Sequence, residues 1–316
     1  MLIEALDYLC CPACRGENLV FEPAGVEDGV VVCPDCDRRY QVYDGVPRLI
    51  AAQVDGDTRE KFGNQWRRWG GREKVFGRDV AGHREHWSNL CQAEVKEPGF
   101  FDGRVVLDAG CGHGMYVQVF QAEGARLVIG LDLTADGVAH ARTRTRDLPN
   151  VQIVQGDILN LPVRPGVIDY VWSIGVIHHT SSPRRAFHNL ARTMSPGGYT
   201  DIWVYPVGSW AWEAANKVLR GVTTRLPSPL LWTLCYCLVP ALSVVKTWSG
   251  TQFGKNTWSE CAQVIHDWLA PRYQSHHKPE ELIGWFKEEG LEKIKSIPPA
   301  TMVGGRRPGR SGPEAD

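Results

Sequence analysis

The chain has 316 residues, enough for one large domain or a domain with a small module attached. Hydrophobic residues make up 43% and charged residues 22%, the composition of an ordinary soluble globular protein. The formal net charge of −1 excludes a nucleic-acid binder that relies on bulk positive charge and leaves only a local basic patch for that role.

The start, MLIEALDYLCCPAC, is too short in its apolar run for a secretory signal and runs straight into cysteines. A cytoplasmic protein is expected, with peripheral membrane attachment left open by an apolar stretch at 226–245. Five of the ten cysteines crowd into the first 36 residues, which is not the even spread of a disulfide framework. Cys11 and Cys14 form one C-P-x-C turn and Cys33 and Cys36 a second, with eighteen residues between Cys14 and Cys33. Each turn offers two thiolates at the bite a tetrahedral Zn²⁺ needs, and the spacing reads as a zinc ribbon. Four Cys ligands leave no open position, so the metal is structural and supplies much of the folding energy of a small module. The competing reading is a metal-free or redox-active cluster. Cys10 is a spectator. Tyr40 to Ile50 alternates apolar residues around an Asp44-Gly45 turn, the closing hairpin of a ribbon over residues 1–50. These residues resemble the zinc-ribbon modules related to the activator subunit of certain tRNA and protein methyltransferases. The resemblance implies a protein partner for the ribbon as one of its uses.

Residues 51–100 read as a helical connector. DTREKFGNQWRRW at 57–69 puts Phe62, Trp66 and Trp69 on one face of an amphipathic helix that leans on the next domain.

Arg104 to Asp108 is a short β-branched run, a buried parallel strand, and Met115 to Glu123 reads as a helix. Between them lies G-x-G-x-G at Gly110, Gly112 and Gly114. The dinucleotide fingerprint needs its third glycine one position later, where Met115 stands. Asp108 just ahead of the loop would repel a diphosphate and suits a cofactor with a cationic end. A second strand ends in Asp132, eighteen residues past Gly114, where a carboxylate can accept both ribose hydroxyls. A third ends in Gly156-Asp157. A fourth runs from Ile168 to Ser173 and leads to His178-His179. Ser195 to Gly198 is a turn before a fifth strand, Tyr199 to Tyr205.

This set, headed by VLDAGCGHG, resembles the class I S-adenosylmethionine-dependent methyltransferases, of the type 11-like group. The resemblance implies an α/β fold: a Rossmann-like seven-stranded sheet with helices on both faces, here with an N-terminal β ribbon and a helical lid insert. It implies S-adenosylmethionine bound by Asp108, Gly110, Gly112, Gly114, Asp132, Leu133, Asp157, Ile158 and Ser173, with Asp157 and Ile158 at the adenine.

The cofactor-binding core is placed at 101–205, a lid or acceptor insert at 206–275 and the closing helix and strand pair at 276–303. The helix is Pro279 to Glu289, with Leu282, Ile283, Trp285 and Phe286 inward and Gly290 ending it. The strands are Leu291 to Ile297 and Ala300 to Val303. Residues 304–316 read as a disordered tail. Six of the twelve tryptophans fall in the insert, and Leu226 to Val245 carries no charge. Pro227, Pro229 and Pro240 break that stretch, which argues against one spanning helix. Two readings stay open: a helical lid over the active site, or an interfacial patch with Trp and basic residues at headgroup level.

Methyl transfer from a sulfonium needs alignment and exclusion of water, and an oxygen acceptor also needs a base. The candidates are His179, His277 and His178, each also readable as a packing residue. The preferred function is O-methylation of a small-molecule, sugar or lipid-linked acceptor with a His base. The alternative is an rRNA or tRNA base methyltransferase using the ribbon on RNA, against which the balanced charge weighs. A non-catalytic activator or binding protein is the third reading.

Overall fold

The computed structural model describes residues 2–51, 56–244, 257–297 and 301–309. Residues 310–316 of the expected tail, Ala300 of the expected last strand, and Val245, Lys246, Trp248 and Lys255 of the insert lie outside the described residues.

After a short helix α1 (Leu2–Leu6), four strands make the front module: β1 (Val20–Pro23), β2 (Gly29–Val32), β3 (Arg39–Tyr43) and β4 (Val46–Leu49). Asp44 and Gly45 link β3 to β4 with φ of 52° and 71°. Two consecutive positive φ values are the signature of the tight hairpin turn that Asp-Gly favours.

The connector holds α2 (Gly56–Trp69) and α3 (Val80–Leu90). The central unit alternates strands and helices: β5 (Val105–Ala109), α4 (Met115–Ala122), β6 (Leu127–Asp132), α5 (Ala135–Thr145), β7 (Val151–Gly156), β8 (Ile168–Ile174), α6 (Pro183–Thr193) and β9 (Met194–Val204). All residues of β5, β6 and β7 are buried, as expected of parallel strands covered on both faces. The insert is helical: α7 (Trp210–Thr223), α8 (Ser228–Val244) and α9 (Trp258–Leu269). Helix α10 (Pro279–Glu288) and the antiparallel pair β10 (Glu292–Ile297) and β11 (Thr301–Arg306) complete the chain.

The strand order is β1-β2-β3-β4-β7-β6-β5-β8-β9-β11-β10. The seven strands from β7 to β10 are the expected Rossmann-like sheet, but the sheet has eleven strands, not seven. The ribbon is not a separate body: β4 adds to the edge of β7 in parallel, Arg48 opposite Gln155 and Leu49 opposite Gly156. The Arg48 guanidinium donates to the Gln155 side-chain oxygen at 3.0 Å, and the Gln152 amide donates to the Gly45 carbonyl at 2.8 Å. Leu9, Val31, Val42 and Leu49 share one buried cluster with Val154, Leu161 and Val163 of the core. An edge that would otherwise expose unpaired backbone groups is thereby covered within the chain.

Three other expectations change. Gly304, Gly305 and Arg306, placed in the tail, form the end of β11, where their backbone pairs with Asp201, Thr200 and Tyr199. The turn at Ser195 to Gly198 lies inside β9, where the register to β8 shifts between Ile168 and Tyr170. Pro240 does not end the apolar helix: α8 runs through it, while Pro229 sits in its first turn, where a missing N–H costs nothing. At seventeen residues α8 is about 26 Å long, short of a bilayer core. Among the described residues no helix is long and apolar enough to cross a membrane.

Helix α2 ties the parts together. Trp66 stacks on His113 of the glycine loop, ring centroids 5.0 Å apart, and Phe62 meets His179 edge-on at 5.1 Å. Trp69 turns instead to the insert, where it meets Trp232 at 5.9 Å in a small core with Leu231, Ile265 and Leu269.

Candidate active site

A cavity of about 1510 Å³ opens at the carboxyl ends of β5 to β9, where the strand order reverses. Its floor on one side is the glycine loop, with Asp108, Gly110 and Gly112 lining it. Gly110, Gly112 and Gly114 have φ of 89°, 50° and 83°. A Cβ on Gly110 would come within 2.3 Å of Val176, and one on Gly112 within 2.5 Å of Trp66. The loop therefore requires glycine for both backbone and space. Gly114 does not line the cavity; it caps the start of α4, and a Cβ there would come within 3.0 Å of Ala141.

Asp132 and Leu133 line the cavity at the end of β6. The Asp132 carboxylate accepts from the Gly112 backbone at 2.9 Å and from the Thr134 backbone and hydroxyl at 2.8 and 2.7 Å. Asp157 and Ile158 line it at the end of β7, where the Asp157 side chain also caps its own turn by accepting from the Leu159 backbone at 2.9 Å. Ser173 faces inward: its hydroxyl donates to the Ala109 carbonyl at 2.9 Å and it does not line the cavity.

Asp108 Oδ2 is buried without a hydrogen-bond partner. Burial, and then the neighbouring Asp132, hold the Asp108 carboxyl well above the usual carboxylate range. Burial also raises Asp132. Two buried acids without a countercharge suit a ligand that brings a cationic group, and the ammonium and sulfonium of S-adenosylmethionine meet that need.

The acceptor side has aromatic walls from Trp203 and Tyr205 of the β9 end, Trp212 of α7 and Trp268 of α9. Tyr205 stacks on Trp268 at 4.6 Å, and its hydroxyl donates to Asp267 at 2.9 Å. The Gln65 amide of α2 donates to the other Asp267 oxygen at 3.2 Å. Sequence reasoning missed this Tyr205–Asp267–Gln65 chain. Its members come from three distant elements, and no spacing links them.

The structure separates the three candidate histidines. Only His179 lines the cavity. Its Nδ1 lies 3.0 Å from the Tyr273 carbonyl, which can only accept, so Nδ1 carries the hydrogen and Nε2 a lone pair. Nε2 is buried without a partner. Burial lowers the pKa of His179, and Asp267 offsets part of that. His178 lies behind it, fully buried against Tyr205 at 4.0 Å. His277 sits where the insert rejoins the core, Nε2 2.8 Å from the Ser275 hydroxyl and Nδ1 3.0 Å from Glu281. Neither lines the cavity, and both have packing or anchoring contacts.

At the front, the sulfurs of Cys11, Cys14, Cys33 and Cys36 all lie within 4.8 Å of one another. The Cys14–Cys33 and Cys11–Cys36 separations are 3.5 and 3.7 Å. Tetrahedral zinc with bonds of about 2.3 Å sets its sulfurs about 3.8 Å apart, so the cluster fits the metal. Burial works to raise the Cys11 thiol, but hydrogen bonds from the Tyr40 hydroxyl and the Cys14 and Ala13 backbone outweigh it, bringing the pKa to about 7. Pro12, Ala13 and Arg38 of the knuckles line the same cavity, so the ribbon borders it.

The sheet order, the glycine cradle and the acids at the strand ends define a class I S-adenosylmethionine-dependent methyltransferase domain. Residues 107–201 match the methyltransferase domain family, and residues 4–45 match the Trm112p-like protein family. The chain thus carries a methyltransferase domain behind a Trm112p-like module.

Over 138 residues, 43% of this chain, it is 36% identical to the probable tRNA methyltransferase 9B of Bos taurus and covers 27% of that protein. It is 38% identical to a probable S-adenosylmethionine-dependent methyltransferase of Mycolicibacterium smegmatis over 30% of this chain and 36% of that one. It is 34% identical to the tRNA (carboxymethyluridine(34)-5-O)-methyltransferase of Mus musculus over 38% of this chain and 17% of that one. The chain spans about a quarter of the length of the first of these relatives. Among solved structures, the Haloferax volcanii complex of the Trm112 methyltransferase activator with a methyltransferase is similar over 81% of this chain and 99% of that one, with 18% identity and a TM-score of 0.49.

Proposed function

We propose that the protein uses S-adenosylmethionine to methylate a base of RNA, at an oxygen or nitrogen that carries a proton. The observation that carries this reading is the His179 Nε2 lone pair, set in an aromatic-walled cavity continuous with the cofactor cradle. The cofactor supplies a methyl group already activated on its sulfonium. Asp108, Gly110, Gly112, Asp132, Leu133, Asp157 and Ile158 would hold it. The residues of this chain align the acceptor, exclude water and take its proton at His179 Nε2. A carboxylate acceptor has no proton for Nε2 to take, so a hydroxyl or ring N–H fits this site better. Zinc on Cys11, Cys14, Cys33 and Cys36 would be structural.

Three features support RNA over the smaller acceptors that the sequence favoured. Relatives matched across the core are named as tRNA methyltransferases. Aromatic walls suit a flat base turned out of its stack. Exposed Arg38 and Arg185 at the mouth can meet phosphates without a high net charge.

A lipid-linked or small acceptor is favoured by one observation. Helix α7 turns Trp210, Val218 and Val222 outward at 85%, 74% and 61% exposure, beside exposed Lys217. Incubation with methyl-labelled S-adenosylmethionine and cell extract separates the two readings. Label in ribonuclease-sensitive material supports RNA; label in the organic-soluble or small aqueous fraction overturns it.

A further inference from the structure

The cavity holds one cation beside the glycine loop, Arg78, and the cofactor motifs do not account for it. It comes from the connector. Val75 and Arg78 exchange both backbone hydrogen bonds, at 3.0 and 3.1 Å, around Phe76 and Gly77. Phe76 has a φ of 53° and Gly77 of 74°, a tight turn that glycine accepts freely and phenylalanine does not. A strained non-glycine residue of this kind persists only where its surroundings hold it, and here the turn brings both Phe76 and Arg78 to the cavity wall. Asp79 then caps α3, accepting from the Gly82 backbone at 2.8 Å.

Arg78 forms no ion pair with a described residue, although it is half-buried and burial lowers its pKa. The field of Glu85 reaches it, but among the described residues no carboxylate pairs with it. Burial pushes His83 down to about 4 and His86 to about 3, so both are neutral at pH 7. His113, in the glycine loop, is 5% exposed and lines the cavity with neither ring nitrogen partnered. Burial holds it neutral too. The fields of Arg78 and Asp108 both reach the Tyr116 hydroxyl, which lies 2.6 Å from His86 Nδ1. One end of the cavity thus presents a cation without an ion-pair partner, a buried carboxyl with an unpartnered oxygen, and unpartnered neutral imidazole. That set complements a zwitterion, an α-ammonium opposite an α-carboxylate.

We propose that Arg78 anchors the α-carboxylate of the cofactor's amino-acid end, opposite Asp108, so that the connector completes the cofactor site. The unpartnered His113 ring donates a further hydrogen bond to the same group. This inference rests on the cofactor reading and is independent of the acceptor.

Titration calorimetry on the full chain tests it with three ligands: S-adenosylmethionine, its decarboxylated form and 5′-methylthioadenosine, which lacks the amino-acid end. The wild type is expected to favour S-adenosylmethionine over the decarboxylated form by about 10- to 100-fold, the range of a charge-assisted hydrogen bond. Arg78→Gln should lose S-adenosylmethionine affinity by that factor while binding 5′-methylthioadenosine as the wild type does, so the discrimination collapses. Arg78→Lys, a point charge without the fork, should fall between. Equal weakening of all three ligands by Arg78→Gln means a structural role and overturns the anchor. So does unchanged S-adenosylmethionine affinity. Should the variants fail to fold, a wild type that does not discriminate against the decarboxylated ligand overturns the proposal by itself. A wild type that binds none of the three overturns the cofactor site and the anchor with it.

Discussion

His179 donates its Nδ1 hydrogen to the Tyr273 carbonyl, 3.0 Å away, and this one contact fixes which nitrogen faces the cavity. The contact joins the 3₁₀ turn after β8 to the strand of chain returning from the insert. The chain returning from the insert therefore orients the candidate base, and α7 and α9 of the insert supply part of the cavity wall.

His179→Asn keeps a donor near Nδ1 and removes Nε2. It should lower kcat by about 10²- to 10⁴-fold, the usual contribution of a positioned base. Affinity for S-adenosylmethionine should stay within twofold, about the scatter of such a binding measurement. Because burial lowers the pKa of His179, its base form prevails at neutral pH, and the acid limb of kcat/KM should fall below pH 6.5. A variant with full activity, or with an unchanged acid limb, would remove His179 as the base.

The ribbon shares a hydrophobic cluster and a sheet edge with the core, so metal loss should reach beyond the ribbon. The wild type should carry one zinc per chain. Cys33→Ser should lose it and lower the Tm of the single unfolding transition by more than about 5 °C, which corresponds to a few kcal/mol for a chain of this size. Cys10→Ala should keep the zinc, since its sulfur is no part of the cluster. Two separate transitions, with the core unmoved by Cys33→Ser, would show that β4 adds nothing to the core.

The parts legible in the sequence are those whose chemistry is local. The glycine spacing between β5 and α4 could be read because strand, loop and helix are consecutive. The four cysteines could be read because each C-P-x-C turn is complete in itself. The joining of β4 to β7 could not, since Arg48 and Gln155 lie 107 positions apart and neither strand shows an edge signal. The two His-His pairs, His178-His179 and His276-His277, are alike in sequence. What separates them is the direction each ring takes. His276 is turned to Glu213 at 2.6 Å, and His277 to Ser275 and Glu281. Arg78 had only a Phe-Gly dipeptide before it as a signal.

Gly112 is pressed from above by Trp66 and held at a φ of 50°. Gly112→Ala adds a Cβ 2.5 Å from the indole and places an alanine in the left-handed region. The backbone term alone costs about 1–2 kcal/mol. The variant should fold but bind S-adenosylmethionine at least about tenfold more weakly, as 1.4 kcal/mol is a factor of ten. Trp66→Phe with Gly112→Ala should recover part of that loss by relieving the contact. Calorimetry reads both, and an unchanged affinity in the single variant would mean that the loop does not touch the cofactor.

Asp201, in β9, is fully buried, with the Tyr170 hydroxyl donating to one oxygen at 2.9 Å and the Gln92 amide to the other at 3.2 Å. Burial raises its pKa to about 7, with those hydrogen bonds limiting the rise. The folded pKa lies above the unfolded value of about 3.9, so between them the folded state binds more protons. Stability from this group is therefore full below about pH 4 and declines as the pH rises to about 7, by an amount on the order of a few kcal/mol. Asp201→Asn cannot ionise and should flatten that decline, so the gap between variant and wild type should shift in the variant's favour as the pH rises from 5 to 8. Urea unfolding at each pH measures it. Parallel stability profiles for the two proteins would mean that Asp201 keeps an ordinary carboxylate pKa despite its burial, held down by Tyr170 and Gln92.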